Sequence, residues 1–102
     1  MQEIADTSNI QEVEETGVIM TEHVLKTWMT QFQDIVDCRK TFEVRKNDRD
    51  FKVGDTLLLC EWNPLIEMFT GRQCKVEVRY CGSIPGYPDA IGMSISRPLC
   101  RG

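Results

Sequence analysis

The chain has 102 residues, 41% hydrophobic and 27% charged, which suits one globular domain and leaves no room for two. Its longest apolar run, Leu57-Leu58-Leu59-Cys60, falls far short of the roughly 18 residues of a membrane span, and residues 1–22 hold neither Lys nor Arg, so a transmembrane protein is excluded and a secretory signal is not expected. The formal net charge of −4 is unevenly spread: residues 1–22 hold six acids and no base, a leader of −6, and the rest holds ten acids and all 12 Lys and Arg, a domain of +2.

Residues 1–20 read as an acidic, flexible leader before a domain over 21–102, because their apolar residues are too scattered to form a stripe. Val18-Ile19-Met20 is the one stretch there able to pack as a short strand. A helix is expected from Thr21 or Glu22 to Val36, with Val24, Leu25, Trp28, Phe32, Ile35 and Val36 as its apolar stripe. Thr21 is its candidate cap and Glu22 suits its first turn. Trp28 and Phe32 are read as core, and His23, the sole histidine, as a capping or surface residue.

After Asp37 the period changes to two. Thr41 to Lys46 alternates, with Phe42 and Val44 on one face and Thr41, Glu43 and Arg45 on the other. Turns are expected at Asn47–Asp50 and Val53–Asp55, then a strand over Thr56–Trp62 that Asn63-Pro64 stops, and a turn at Thr70-Gly71. Gln73–Cys81 is a half-buried strand with Cys74, Val76, Val78 and Tyr80 inward. A loop rich in Gly and Pro follows over Gly82–Asp89, and Ile91, Met93 and Ile95 make one row of a last strand. One helix and several short strands give an α+β fold built on a curled sheet or barrel.

The five cysteines at 38, 60, 74, 81 and 100 include no C-x-x-C pair, so neither a metal nor a cofactor is expected, and reduced thiols suit a cytoplasmic protein. No nucleophile elbow, phosphate-binding Walker loop or histidine dyad is present. The densest polar stretch is Arg39–Lys52, with six bases and three acids in fourteen residues. Alternation places Glu43 and Arg45 on one face, where a carboxylate and a guanidinium can address one ligand; the plainer alternative is a solvated edge strand with internal ion pairs.

Cys38-Arg39-Lys40-Thr41-Phe42-Glu43-Val44-Arg45 resembles the G-x-K-x-x-E-x-R signature of the ASCH family, a branch of the PUA-like superfamily. The continuation Lys46-Asn47-Asp48-Arg49-Asp50-Phe51, with Val53-Gly54-Asp55, His23-Val24-Leu25-Lys26 and Phe69-Thr70-Gly71-Arg72, resembles a branch of short bacterial and phage proteins of unknown function. The resemblance covers about residues 21–96. It implies a small β-barrel of about five strands with a flanking N-terminal helix, and a cleft between them for RNA or a nucleotide. Lys40, Glu43 and Arg45 would line that cleft, with Lys46, Asn47 and Arg49 at its mouth and Tyr87 able to close over a stacked base. The signature glycine is Cys38 here, which puts the helix-to-strand corner in question.

The reading that follows is an RNA- or nucleotide-binding module, with no membrane, metal or cofactor. A second reading, from enzymes in the same family, is a small amidohydrolase acting on a modified nucleoside such as N4-acetylcytidine, or an RNA-cleaving enzyme, with Lys40 and Glu43 as catalytic residues. The family's amidohydrolases use a Thr where Glu43 stands, and a distant acid for which Glu77 and Glu61 are the candidates. A third is a phage or bacterial protein-interaction module that uses its acidic leader as a nucleic-acid mimic or a competitor tail.

Overall fold

The structure is a computed structural model and describes residues 9–13 and 19–101, with side chains over 20–99. Along the chain it forms β1 (Asn9–Val13), β2 (Ile19–Trp28), α1 (Met29–Val36), β3 (Phe42–Lys46), β4 (Thr56–Asn63), β5 (Met68–Ile84), β6 (Tyr87–Ile95) and β7 (Leu99–Arg101). The strands make one sheet in the order β1-β2-β4-β5-β6-β3, with β7 added to β5. Among the described residues only β2 and β4 run parallel. The result is α+β and mostly strand, with one short helix, and the sheet is open rather than closed into a barrel. Of the leader expected over 1–20, residues 1–8 and 14–18 lie outside the described residues, while Asn9–Val13 pairs with Ile19–His23.

The helix expected from Thr21 begins only at Met29. His23, Leu25 and Thr27 are buried, at 1%, 3% and 3% exposure, and Val24 and Lys26 between them are less so, so the stretch has the period of a strand. A polar His and Thr on the inner face disguise that alternation as a helical one. Parallel pairing with Leu57-Leu58-Leu59 decides it: residues 22–28 run in register with 56–62, and β-branched Thr21, Val24 and Thr27 suit the strand. The helix itself keeps Phe32 and Ile35, 1% and 0% exposed, three residues apart on the core face. Each is worth about 2 kcal/mol of burial.

Trp28 is 48% exposed, not core, and caps α1 with its backbone alone; Thr21 is no helix cap. The core gathers Leu25, Phe32, Ile35, Phe51, Leu57, Leu59, Cys74, Val76, Val78, Ile91, Met93 and Ile95 between the helix and the concave side of the sheet. Cys74, Val76 and Val78 point inward as expected, but the register shifts between Val78 and Tyr80, and Tyr80 is left 64% exposed. The loop expected over Gly82–Asp89 is instead a tight hairpin. Ile84 pairs with Tyr87, and only Pro85 and Gly86 turn the chain, Gly86 at φ 86°.

Long β5 holds the halves together. Its first part pairs with β4 and β7, and its last part, from Val78 onward, with β6. Curling around β5 brings the free edge of β2 opposite β3, and side chains rather than a backbone ladder span the seam.

The seam between two sheet edges as candidate functional site

In β3 the faces are the reverse of an ordinary half-buried strand. Phe42 and Val44 are exposed, at 52% and 49%, and Glu43 is buried at 2%. A solvated edge strand therefore does not describe it: the ion pairs expected there exist, but around a carboxylate withdrawn from water. Lys40 Nζ donates to Glu43 Oε1 at 2.8 Å, and Arg45 Nε donates to Glu43 Oε2 at 2.8 Å. A buried carboxylate needs both oxygens satisfied, and here each oxygen has its own cation.

Arg45 also crosses the seam. Its Nη1 donates to the Lys26 carbonyl and its Nη2 to Thr27 Oγ1, both at 3.1 Å. Arg49 does likewise from the following turn, donating through Nη1 to the Val24 carbonyl at 3.1 Å. The β2 edge thus offers Arg side chains the acceptors that another strand would otherwise take.

Above these bridges lies a cavity of about 310 Å³. Leu25 and Phe51 supply apolar lining. Lys26, Thr27 and Trp28 come from β2 with Gln31 from α1, and Glu43, Val44, Arg45 and Lys46 come from β3 with Lys40, Asp48 and Arg49 beside them. Five bases against two acids leave the lining at +3. Phe51 is set by the residue behind it: the His23 ring lies 4.6 Å from the Phe51 ring, and His23 Nε2 shares a proton with Asp55 Oδ2 at 2.8 Å. Asp55 also accepts from the backbone N–H of Lys52 and Thr21. The sequence reading of His23 as a cap or surface group therefore fails, because it is a buried strut under the cleft floor.

Of the residues read as a site, Lys40, Glu43, Arg45, Lys46 and Arg49 come together at this cleft. Asn47 does not line it; its backbone N–H is tied to the Asp89 carbonyl at 2.8 Å. Tyr87, 67% exposed at the start of β6, does not line it either. Trp28, Thr27, Gln31, Leu25 and Phe51 were missed, since a helix over 21–36 points the first three elsewhere.

The candidate distant acids also lie outside the lining. Glu77 is exposed and pairs with Arg79. Glu61 is buried where β5 bulges around it: Thr70 Oγ1 donates to Oε1 at 2.6 Å and Arg72 Nη1 to Oε2 at 3.3 Å, with Gly71 between them at φ 95°. Arg72 goes on to Gln33 Oε1 at 3.1 Å and stands over the Phe32 ring, so the Phe69–Arg72 motif fastens the hairpin to α1.

Cys38 answers the question of the missing glycine. It takes φ 59° itself, its N–H donates to the Ile35 carbonyl and that of Arg39 to the Asp34 carbonyl, so a Schellman helix end forms around a cysteine. The corner keeps its shape and directs Lys40 toward Glu43. Among the described residues no three His, Cys, Asp or Glu side chains are grouped to hold a metal ion, and no helix is long and apolar enough to cross a membrane.

A protein of Escherichia phage P2, described as an uncharacterized 12.9 kDa protein in the GpA 3' region, is 42% identical over 57 residues. The match covers 56% of this chain and about half, 49%, of that relative. A family described as Domain of unknown function (DUF3850) matches residues 22–92, from the seam edge of β2 through β3 to the middle of β6, and the chain belongs to that family.

Proposed function

We propose that this protein is a cytoplasmic RNA- or nucleotide-binding module of the ASCH, PUA-like type, and that its ligand enters the cleft between β2 and β3. One observation carries the reading: the carboxylate of Glu43, 3% exposed, is held by Lys40 and Arg45 on the wall of an open cavity of net charge +3. Withdrawing an ion cluster from water costs several kcal/mol per ion and rarely gains stability over apolar packing. A ligand-facing cluster accounts for it better, because it sets donors and an acceptor side by side for the edge of a base while nearby Lys46 takes phosphate. Trp28 supplies an aromatic wall. A curled sheet with a seam at the cleft supports the PUA-like likeness, as a barrel left open where the ligand lies.

The test is an amide-shift titration of the full chain with short single-stranded RNA of mixed sequence. Shifts are expected at Lys40, Glu43, Arg45 and Trp28. Affinity should fall with salt at a log–log slope of roughly −2 to −3, for three or four phosphate contacts. Lys46→Ala, which removes a side chain with no hydrogen bond or ion pair among the described residues, and Arg45→Ala should both weaken binding. Unchanged affinity in both variants at low salt ends this reading.

The 2.8 Å contact between Lys40 Nζ and Glu43 Oε1 keeps a second reading in view, a hydrolase with that pair as its amine and carboxylate. Incubation with N4-acetylcytidine should then release cytidine, and Lys40→Ala should stop the release in protein whose amide spectrum shows the fold retained.

A further inference from the structure

The outer face beside the cleft carries aromatic surface that the cleft does not use. Trp28 and Trp62 are register partners on parallel β2 and β4, so they neighbour one another on the sheet. Phe69 of β5 meets Trp62 edge-on at 4.8 Å between ring centroids and 73° between planes, and is 47% exposed. Lys26, which lines the cleft, places Nζ 4.4 Å from the Trp62 ring centroid. Exposed apolar residues scattered singly are ordinary; an aromatic pair with a cation over it, beside a cavity-lining Trp on the neighbouring strand, is not.

The cavity is also small. Its volume of about 310 Å³ is at the low end for ligand pockets, roughly 300–1,000 Å³, and suits one base and sugar rather than two. A polynucleotide seated there must leave at the mouth, and Trp28 lines the cavity and leads onto this pair. Positive charge continues along the same path through Lys26.

Building on the cleft reading, we propose that Lys26, Trp62 and Phe69 form a second nucleotide subsite, continuous with the cleft past Trp28, and that the ligand is single-stranded nucleic acid of at least two nucleotides rather than a free nucleoside. Lys26 takes the phosphate between the two positions. The neighbouring base stacks on the Phe69 and Trp62 surface, a contact tolerant of sequence because every base has a π-face.

Tryptophan fluorescence and calorimetry on the full chain test it with three probes: a mononucleotide, a mixed-sequence tetranucleotide, and a matched tetranucleotide with abasic sugars flanking a single base. The intact tetranucleotide should bind about tenfold tighter than the abasic one, as expected for one stacked base. Phe69→Ala and, separately, Trp62→Ala should remove that difference. Two variants are needed because Trp62 also packs under Lys26, while Phe69 is half exposed.

Equal affinity for intact and abasic tetranucleotides, with both weakened by Arg45→Ala, overturns the second subsite and leaves the cleft reading standing. Binding of none of the three probes overturns both. Self-association of the wild type that Phe69→Ala relieves, without any difference between the tetranucleotides, assigns the aromatic pair to a second copy of the chain instead.

Discussion

Arg45 Nη1 and the carbonyl of Lys26, 3.1 Å apart, join two strands that share no ladder. The same guanidinium holds Glu43 through Nε and Thr27 through Nη2, so one side chain both bridges the seam and pairs with a buried acid. Removing it leaves a carboxylate with one cation and frees two acceptors on β2.

Arg45→Ala is therefore expected to lower unfolding free energy by about 3 kcal/mol, the range for breaking a buried pair from one side. Arg45→Lys keeps the charge but not the planar fork, and should recover less than half of that loss. Urea denaturation of the three proteins measures both. A loss below about 1 kcal/mol in the alanine variant means that the seam is held by something else.

Asp55 is the acceptor for His23 and for two backbone N–H groups, those of Lys52 and Thr21. Asp55→Ala strands all three donors near the core and is expected to cost about 3 kcal/mol. The Phe51 floor should move with it, so the aromatic proton shifts of Phe51 in the NMR spectrum change together with stability. Stability lost with unmoved Phe51 resonances would separate the His23 strut from the cleft.

Cys38 pays for its left-handed backbone, and glycine adopts that conformation freely. Cys38→Gly should stabilise the protein by about 0.5–1 kcal/mol, since relief of roughly 1–2 kcal/mol of strain outweighs the added freedom of the unfolded chain. Thermal unfolding measures it as a rise of a few degrees. A fall in melting temperature means that the thiol contributes more than the turn costs.

Burial pushes the Cys60 thiol up, with the charge of Glu22 adding to the rise and the hydrogen bond from Gln73 opposing it. The folded chain then keeps a proton that the unfolded chain gives up first. Its stabilising contribution is whole below the ordinary thiol pKa and is lost as pH rises through the raised value. Between pH 8 and 10 the wild type should lose stability more steeply than Cys60→Ala, in denaturant titrations at fixed salt. Parallel slopes would show that Cys60 titrates alike in both states.

What the sequence disclosed followed the period of its apolar residues. Cys74, Val76 and Val78, and then Ile91, Met93 and Ile95, alternate without interruption and point inward as read. Within the charged run from Arg39 to Lys52, like spacing in a strand puts Glu43 and Arg45 on one side whatever lies beyond it, and both line the cavity. Residues 21–28 misled because their inward positions include His23 and Thr27, whose partners come from elsewhere in the chain: Asp55 lies 32 residues beyond His23 and Arg45 18 beyond Thr27. No local pattern records a polar group satisfied at that distance. Trp28 was lost with the same error, and with it one wall of the cleft. Tyr80 went astray for a smaller reason, a register shift of the kind that leaves no mark in composition.

The two strands of the seam stand far apart in the sheet's pairing order, β3 at one end and β2 one place in from the other, next to β1. β2 is reached through β4 and β3 through β6, and both routes meet in β5, where the register slips between Val78 and Tyr80. The two walls of the cleft therefore share a single spine, and a change in the bend of β5 would move one wall relative to the other. A substitution near Val78 acts on the width of the cleft without touching its lining, while Arg45 and Arg49 are the side chains that tie β3 to β2 across it.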